Sequence, residues 1–324
     1  MNRLKWIVEK VSRRYSKYRY KFNTARNLKR LQFHRSNFPN PSKVHITCTG
    51  ATDGGCAQIG RILSAISFVN AFGFTYIHTP LSYVSHNVND DPNWAQKWEN
   101  YFQLSSFGKE SPVSPDRFRI VRNMNELIPD IIRSKKNPDN QYYQIRHCHP
   151  YTNRVPESYF DILDKVRDLY ANNGRTPNLI YNENTFNIAI HVRRGDVSKE
   201  NEPIRFTSAK KLKSTIQKIS KVLKDMDHKI YLFCVNLDDD LKKLESKDIH
   251  VIHELDIFDV LDHLIHADLL VTSKSSVGYI SGFLNDGIII YEPFWHPPLP
   301  GWLNMDTDFK PGLKTRIGKL QIRN

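Results

Sequence analysis

The run Ile188-Ala-Ile-His-Val-Arg-Arg-Gly-Asp196 places two adjacent arginines, a glycine and an aspartate at the end of a strand-sized apolar stretch. In parallel α/β sheets ligands sit beyond the carboxyl ends of strands, where Arg193 and Arg194 would emerge. Paired guanidiniums at such a point call for an anion, and their rigid forks suit phosphate oxygens better than lysines would. Asp196 can hold one of them, and Gly195 lets the backbone turn. The alternative reading of the same residues is a structural Arg–Asp pair. A second run, Ala267-Asp-Leu-Leu-Val-Thr-Ser-Lys-Ser-Ser-Val-Gly-Tyr279, ends a strand in Ser273, Ser275 and Ser276 just before a short helix. Hydroxyls and N–H groups at a helix N-terminus form an anion cradle. Ordinary N-capping accounts for one of these serines, not three. Two anion-competent strand ends in one α/β half point to a nucleotide diphosphate.

Such residues need a sheet to hold them, and the second half of the chain supplies the pattern for one. Strands are expected at Asn187–Val192, Ile230–Val235, His250–His253, Leu269–Thr272 and Ile288–Glu292, with helices at Lys210–Lys224, Ile257–His266 and after Ser276 between them. Asp238-Asp-Asp240 precedes Leu241-Lys-Lys and reads as a helix N-terminus. The first half opens in the same way. Val44–Cys48 starts a strand, Thr49-Gly-Ala-Thr-Asp-Gly-Gly55 a glycine-rich loop, and Ile59, Ile62, Leu63, Ile66 and Val69 a helix running to Gly73. Phe74–His78 is then a second strand. From about 80 to 175 the sequence is aromatic and irregular. Trp94, Trp98, Tyr101 and Phe102 stand at helical spacing and read as core. Arg146-His-Cys-His-Pro-Tyr151 has no second ligand pair near it, which argues against a metal site. Asn172–Pro177 marks a linker. The expected fold class is α/β, with a basic arm over 1–40, an N-terminal α/β domain over 41–175 and a C-terminal one over 176–324.

Composition agrees. The chain has 324 residues, 40% of them hydrophobic, enough for two domains. No window approaches the ~20 apolar residues a spanning helix needs. Cys48, Cys56, Cys148 and Cys234 form no CxxC pair, so a reducing compartment is expected. Residues 1–36 hold 12 Lys/Arg and one acid, Glu9, a balance of +11, whereas the other 288 residues balance at +2. This arm lacks the apolar core of a secretory signal. Leu4, Val8, Val11, Tyr15, Tyr18 and Phe22 form a helical seam among Lys and Arg. That pattern fits either a helix lying on an anionic membrane surface or one packed on its own globule. No basic stripe continues downstream, so no nucleic-acid partner is expected.

His191-Val-Arg-Arg-Gly-Asp196 resembles the HxRRxD motif of the α-1,2-, α-1,6- and protein O-fucosyltransferases. Ala267-Asp…Ser275-Ser276 resembles their downstream AD…SS donor motif, and Asp53-Gly-Gly-Cys-Ala-Gln-Ile-Gly-Arg61 their glycine-rich loop. The resemblance covers motifs and their order over roughly 44–295. It implies a GT-B-like architecture of two Rossmann-like domains facing across a cleft. GDP-β-L-fucose would be held by the second domain, and transfer would be inverting, onto a glycan hydroxyl, with no essential metal or other cofactor. Carried over by residue, Arg193 binds the β-phosphate and stabilises the departing GDP. His191, Arg194 and Asp196 support that geometry. Ser275 and Ser276, with Ser273 beside them, hold the diphosphate, and Gly54, Gly55 and Gln58 belong to the glycine-rich loop. The base that accepts the acceptor's proton is Glu200 with Glu202, or Asp53. Here the sequence departs from the family pattern, because Asn is missing before Gln58 and Lys274 interrupts the serines. Two other readings stand beside this one: a glycosyltransferase for another nucleotide sugar, and a non-catalytic nucleotide binder addressed to membranes by its arm. The absence of a signal or anchor points to a cytoplasmic protein, peripheral at a membrane.

Overall fold

The structure, a computed structural model, describes residues 2–87 and 89–321, with side chains at 16–36, 38–87 and 89–319. The chain divides into two compact units, Met1–Lys165 and Val166–Asn324.

Unit 1 begins with a long helix, α1 (Asn2–His34), followed by β1 (Val44–Cys48), α2 (Gly55–Phe72), β2 (Thr75–Tyr76), α3 (Trp94–Phe102), β3 (Arg119–Ile120), α4 (Met124–Arg133), β4 (Gln141–Ile145) and α5 (His149–Thr152). Its four strands are all parallel, in the order β2-β1-β4-β3. The region expected to be irregular therefore contains the strand that pairs along the whole of β1. Two features hid it. Gln141-Tyr-Tyr-Gln-Ile is half polar, and α4 carries Pro129 in its interior, which breaks a helix pattern on paper. The aromatic quartet lies on α3, with Trp98, Tyr101 and Phe102 buried and Trp98 stacked on Phe102 at 6.2 Å.

The unit boundary falls within α6 (Phe160–Ala171). Unit 2 then runs β5 (Phe186–His191), α7 (Ala209–Val222), β6 (His228–Phe233), α8 (Asp239–Lys242), β7 (Ile249–Ile252), α9 (Ile257–His266), β8 (Leu269–Val271), α10 (Ser276–Leu284), β9 (Ile288–Tyr291), β10 (Leu303–Asn304) and α11 (Lys310–Gln321). All six strands are parallel, in the order β10-β9-β8-β5-β6-β7. The expected strands are present to within two residues, and the α/β class with two parallel Rossmann-like units holds. Strand β5 is central and buried over Asn187–His191, which is why it reads as a nearly continuous apolar run. Asp268, the acid of the AD…SS motif, lies at the opposite end of β8 from the serines. There its carboxylate accepts the Asn187 amide at 2.7 Å and fixes β8 beside β5.

The arm meets the rest of unit 1 through one face of α1. Thr24, Leu28 and Leu31 are buried, α1 packs on α4, and Asn27 bonds Asn125 at 3.2 Å. Tyr18 and Phe22 are exposed, while the seam positions Leu4, Val8, Val11 and Tyr15 lie outside the described side chains. Among the described residues no helix is long and apolar enough to cross a membrane. If Leu31 seals the α4 face as its complete burial indicates, Leu31→Ala will destabilise the protein by about 2–4 kcal/mol in denaturant titration. A change below about 0.5 kcal/mol would mean that the arm is independent of unit 1.

Candidate functional site

In unit 2 the chain leaves β5 toward β6 and β7, then returns to place β8 on the other side of β5. The strand order therefore reverses between β5 and β8, and in open α/β sheets ligands bind at the carboxyl side of that reversal. Both motifs end there. β5 runs into His191-Val-Arg-Arg, and β8 into Thr272-Ser-Lys-Ser-Ser. A hydrogen bond joins them, His191 Nδ1 to Ser273 Oγ at 2.6 Å, with both residues buried. Burial, with the Arg193 charge adding to it, pushes the His191 imidazole down to about 3, so it stays neutral at physiological pH.

The two arginines have different tasks. Arg194 is 5% exposed and fully engaged: Nε donates to Asp238 at 2.6 Å, Nη1 to the Arg193 carbonyl at 2.9 Å, and Nη2 to the Thr207 carbonyl at 3.1 Å. Its guanidinium also lies 4.4 Å from the Phe206 ring centre. Arg194, expected among the diphosphate-binding group, is thus committed to holding the loop between β5 and α7. Asp238 caps α8 as expected, accepting the Leu241 amide, and serves as the counter-ion of Arg194. Arg193 is half-buried and paired only through Nη2 with Asp196 at 2.6 Å, an arrangement that Gly195 permits by turning at φ +83°. Its Nε is buried with no partner. A charged donor left without an acceptor costs free energy, and an incoming oxyanion would satisfy it.

Of the serines, Ser275 caps α10 by accepting the Val277 amide, Ser273 is taken by His191, and Ser276 is half-buried at the first position of the helix. Lys274 is 3.7 Å from Glu292, a residue the sequence reading passed over. Glu292 follows β9, is 1% exposed, and accepts from Thr207 at 2.6 Å and Lys211 at 2.9 Å. It ties three neighbouring strand ends together. An acid directly after Ile-Ile-Ile-Tyr was the available signal.

Glu200 and Glu202 lie exposed on the turn after Asp196, which is closed by Ser198 and Asn201. The Ser198 hydroxyl holds the Glu200 carboxyl below its ordinary value, favouring the ionised form. Asp53, in unit 1, has both oxygens bonded to Arg61, at 2.7 and 2.5 Å. The glycine-rich loop around Asp53 is internally satisfied. The Gln58 amide donates to the carbonyls of Asp53 and Tyr83, both at 2.8 Å, and Gly55 is buried because a Cβ there would lie 2.2 Å from the Trp98 indole. Gly54 is the N-cap of α2. Gly54, Gly55 and Gln58 therefore shape the loop. His147, in the stretch weighed above as a metal site, follows β4. Burial, then the Arg61 and Arg146 charges, push it down to about 4, and its Nδ1 is buried without a partner. Among the described residues no cluster of His, Cys, Asp or Glu is arranged to hold a metal ion, and all four cysteines are buried free thiols.

No protein-family model matches this chain, and no curated protein matches it. Among solved structures it is similar to the E. coli heptosyltransferase WaaC with ADP-2-deoxy-2-fluoro heptose, at 10% identity and TM-score 0.40, over 86% of this chain and 99% of that one. It is also similar to POFUT1 in complex with GDP-fucose, at 10% identity and TM-score 0.42, over 79% and 99%. A third is the NodZ α-1,6-fucosyltransferase co-crystallised with GDP, at 12% identity and TM-score 0.38, over 77% and 94%. Likenesses at this level assign neither donor nor reaction.

Two imidazoles with lowered values, His191 buried and His147 half-buried, make stability depend on pH in a defined direction. In the unfolded chain each takes a proton near pH 6.5, whereas the folded protein refuses it until about pH 4 for His147 and about pH 3 for His191. Their contribution is complete above about pH 6.5 and is lost as the pH falls toward those folded values. The thermal midpoint should therefore drop between pH 6.5 and 4 more steeply for wild type than for His191→Asn, which keeps a polar partner for Ser273 and cannot titrate. Superimposable profiles would show that His191 is not neutral in the fold.

Proposed function

We propose that the chain is a glycosyltransferase that binds the diphosphate of a nucleotide sugar at the β5–β8 switch point of unit 2. The preferred donor is GDP-β-L-fucose and the acceptor a glycan hydroxyl. The observation that carries this reading is Arg193, a half-buried guanidinium at that switch point with a buried, unsatisfied Nε and one flanking carboxylate. The likeness of His191–Asp196 and Ala267–Ser276 to the fucosyltransferase motifs selects guanosine and fucose within the wider class of nucleotide sugars.

In the proposed reaction the acceptor oxygen attacks the anomeric carbon and inverts it, while the carbon–oxygen bond to the diphosphate breaks and its electron pair leaves with GDP. Charge grows on the departing phosphate, where Arg193 and the amino end of α10 offer preorganised positive potential. Asp196 fixes Arg193, and neutral His191 fixes Ser273 without adding a competing cation. The acceptor proton passes to a carboxylate, and Glu200 and Glu202 stand on the same loop as Arg193. No divalent metal is required in this scheme, because guanidinium supplies the charge.

Calorimetric titration with GDP-β-L-fucose, GDP and GDP-mannose in the presence of EDTA tests the donor. Binding at roughly micromolar Kd by the first two, with GDP-mannose clearly weaker, is the expected result. Tight binding of an ADP- or UDP-sugar in their place would move the assignment to another glycosyltransferase, and no nucleotide binding at all would sink it. Arg193→Ala should lower kcat by about 10²–10³ with the fold intact; retention of more than about a tenth of the rate would remove Arg193 from this role. Loss of activity in EDTA, restored by a divalent ion, would overturn the metal-free scheme.

A further inference from the structure

Arg193 is not the only guanidinium at this edge with an unmet donor. Arg205, near the end of the same loop, is half-buried, and its Nε is likewise buried without a partner. Among the described residues its side chain has no hydrogen-bond or ion-pair partner. Its contact is Trp295, an exposed residue on the segment after β9, whose ring centre lies 5.3 Å from the guanidinium carbon and 4.1 Å from the Phe294 ring, tilted by 31°. The other cations around it are taken: Arg194 by Asp238, and Lys211 and Lys274 by Glu292. In unit 2 the described buried side-chain polar atoms without a partner are Arg193 Nε, Arg205 Nε and Ser281 Oγ. Two of these three are arginine donors on one loop, where a dianionic ligand would satisfy both.

We infer that Arg205 is the second diphosphate ligand of the donor site and that Trp295 is its positioning residue. This rests on the donor reading above and deepens it. A guanidinium laid against an indole is fixed in its plane while its N–H groups remain available at the edge, so it meets an oxyanion with little ordering cost. Burying the Nε–H of a guanidinium with neither acid nor carbonyl to accept from it is unfavourable in the unliganded protein. The site is therefore charged in advance for its ligand. Arg194 connects the two ligands mechanically, since it bonds the carbonyls of Arg193 and Thr207 and so fixes the loop on both sides of the Arg205 segment.

The test compares wild type with Arg205→Ala, Arg205→Lys and Trp295→Phe in calorimetry with GDP, inorganic pyrophosphate and guanosine, alongside thermal midpoints without ligand. Arg205→Ala should weaken GDP and pyrophosphate at least about tenfold and leave guanosine unchanged. Its unliganded midpoint should match or exceed that of wild type, because an unsatisfied buried donor has been removed. Arg205→Lys should be weakened to an intermediate degree, having charge without the fork, and Trp295→Phe less than either. If wild type binds GDP but a folded Arg205→Ala binds it within twofold of wild type, this inference fails and the donor reading survives. A raised acceptor KM with unchanged GDP affinity would overturn it in favour of an acidic acceptor. Failure of wild type to bind GDP, pyrophosphate or any nucleoside diphosphate would remove the donor reading and this inference together.

Discussion

A guanidinium wholly buried at a strand end costs free energy unless its nitrogens find acceptors, and Arg194 meets that constraint with three separate segments. Asp238 comes from the end of β6, the Arg193 carbonyl from the end of β5, and the Thr207 carbonyl from the far side of the intervening loop. Removing Asp238 alone would strand a buried charge, which is costly out of proportion to the worth of the pair. The geometry of the Arg193–Thr207 loop therefore follows from satisfying Arg194.

With that loop fixed, the charges at the carboxyl edge sort into two sets. Glu292, almost wholly buried, pairs with Lys211, lies 3.7 Å from Lys274 and accepts from Thr207, and Asp306 takes Lys211 as well, so two carboxylates stand against these two cations. Hydrogen bonds to Asp306 and Glu292 keep Lys211 charged despite the opposing effect of burial. Arg193 and Arg205 are left over. Among the described residues, each retains a buried Nε without an acceptor, Arg193 pairing through Nη2 with Asp196 and Arg205 lying against Trp295. In the proposed donor reading these are the charges a diphosphate would meet, together with the N-terminus of α10.

Unit 1 has a parallel sheet of its own, but its glycine-rich loop is closed. Gln58 clips the loop to Tyr83, Arg61 takes both oxygens of Asp53, and Trp98 covers Gly55. A motif that in sequence reads as a ligand loop is here satisfied from within. Among the described residues, His147 after β4 and His78 after β2 each keep a buried Nδ1 without a partner, and burial pushes the His147 imidazole down.

Local pattern carried the α/β class, five of the six strands described in unit 2, and the two segments that meet at the strand-order reversal, because apolar periodicity and glycine and serine placement are local properties of the chain; β10 was not foreseen. Pairing along β1 by Gln141–Ile145 escaped it, since a half-polar strand is recognisable only once its neighbour is known. The division of labour between Arg193 and Arg194 escaped it too: the two are chemically identical and adjacent, and what separates them is Asp238 and Thr207, 44 and 13 residues beyond Arg194. Arg205 carries no local signature, and Glu292 only that of an acid directly after an apolar strand. Whether a charge is free or spent depends on which partners come within about 3 Å in space, and only the tertiary structure decides that.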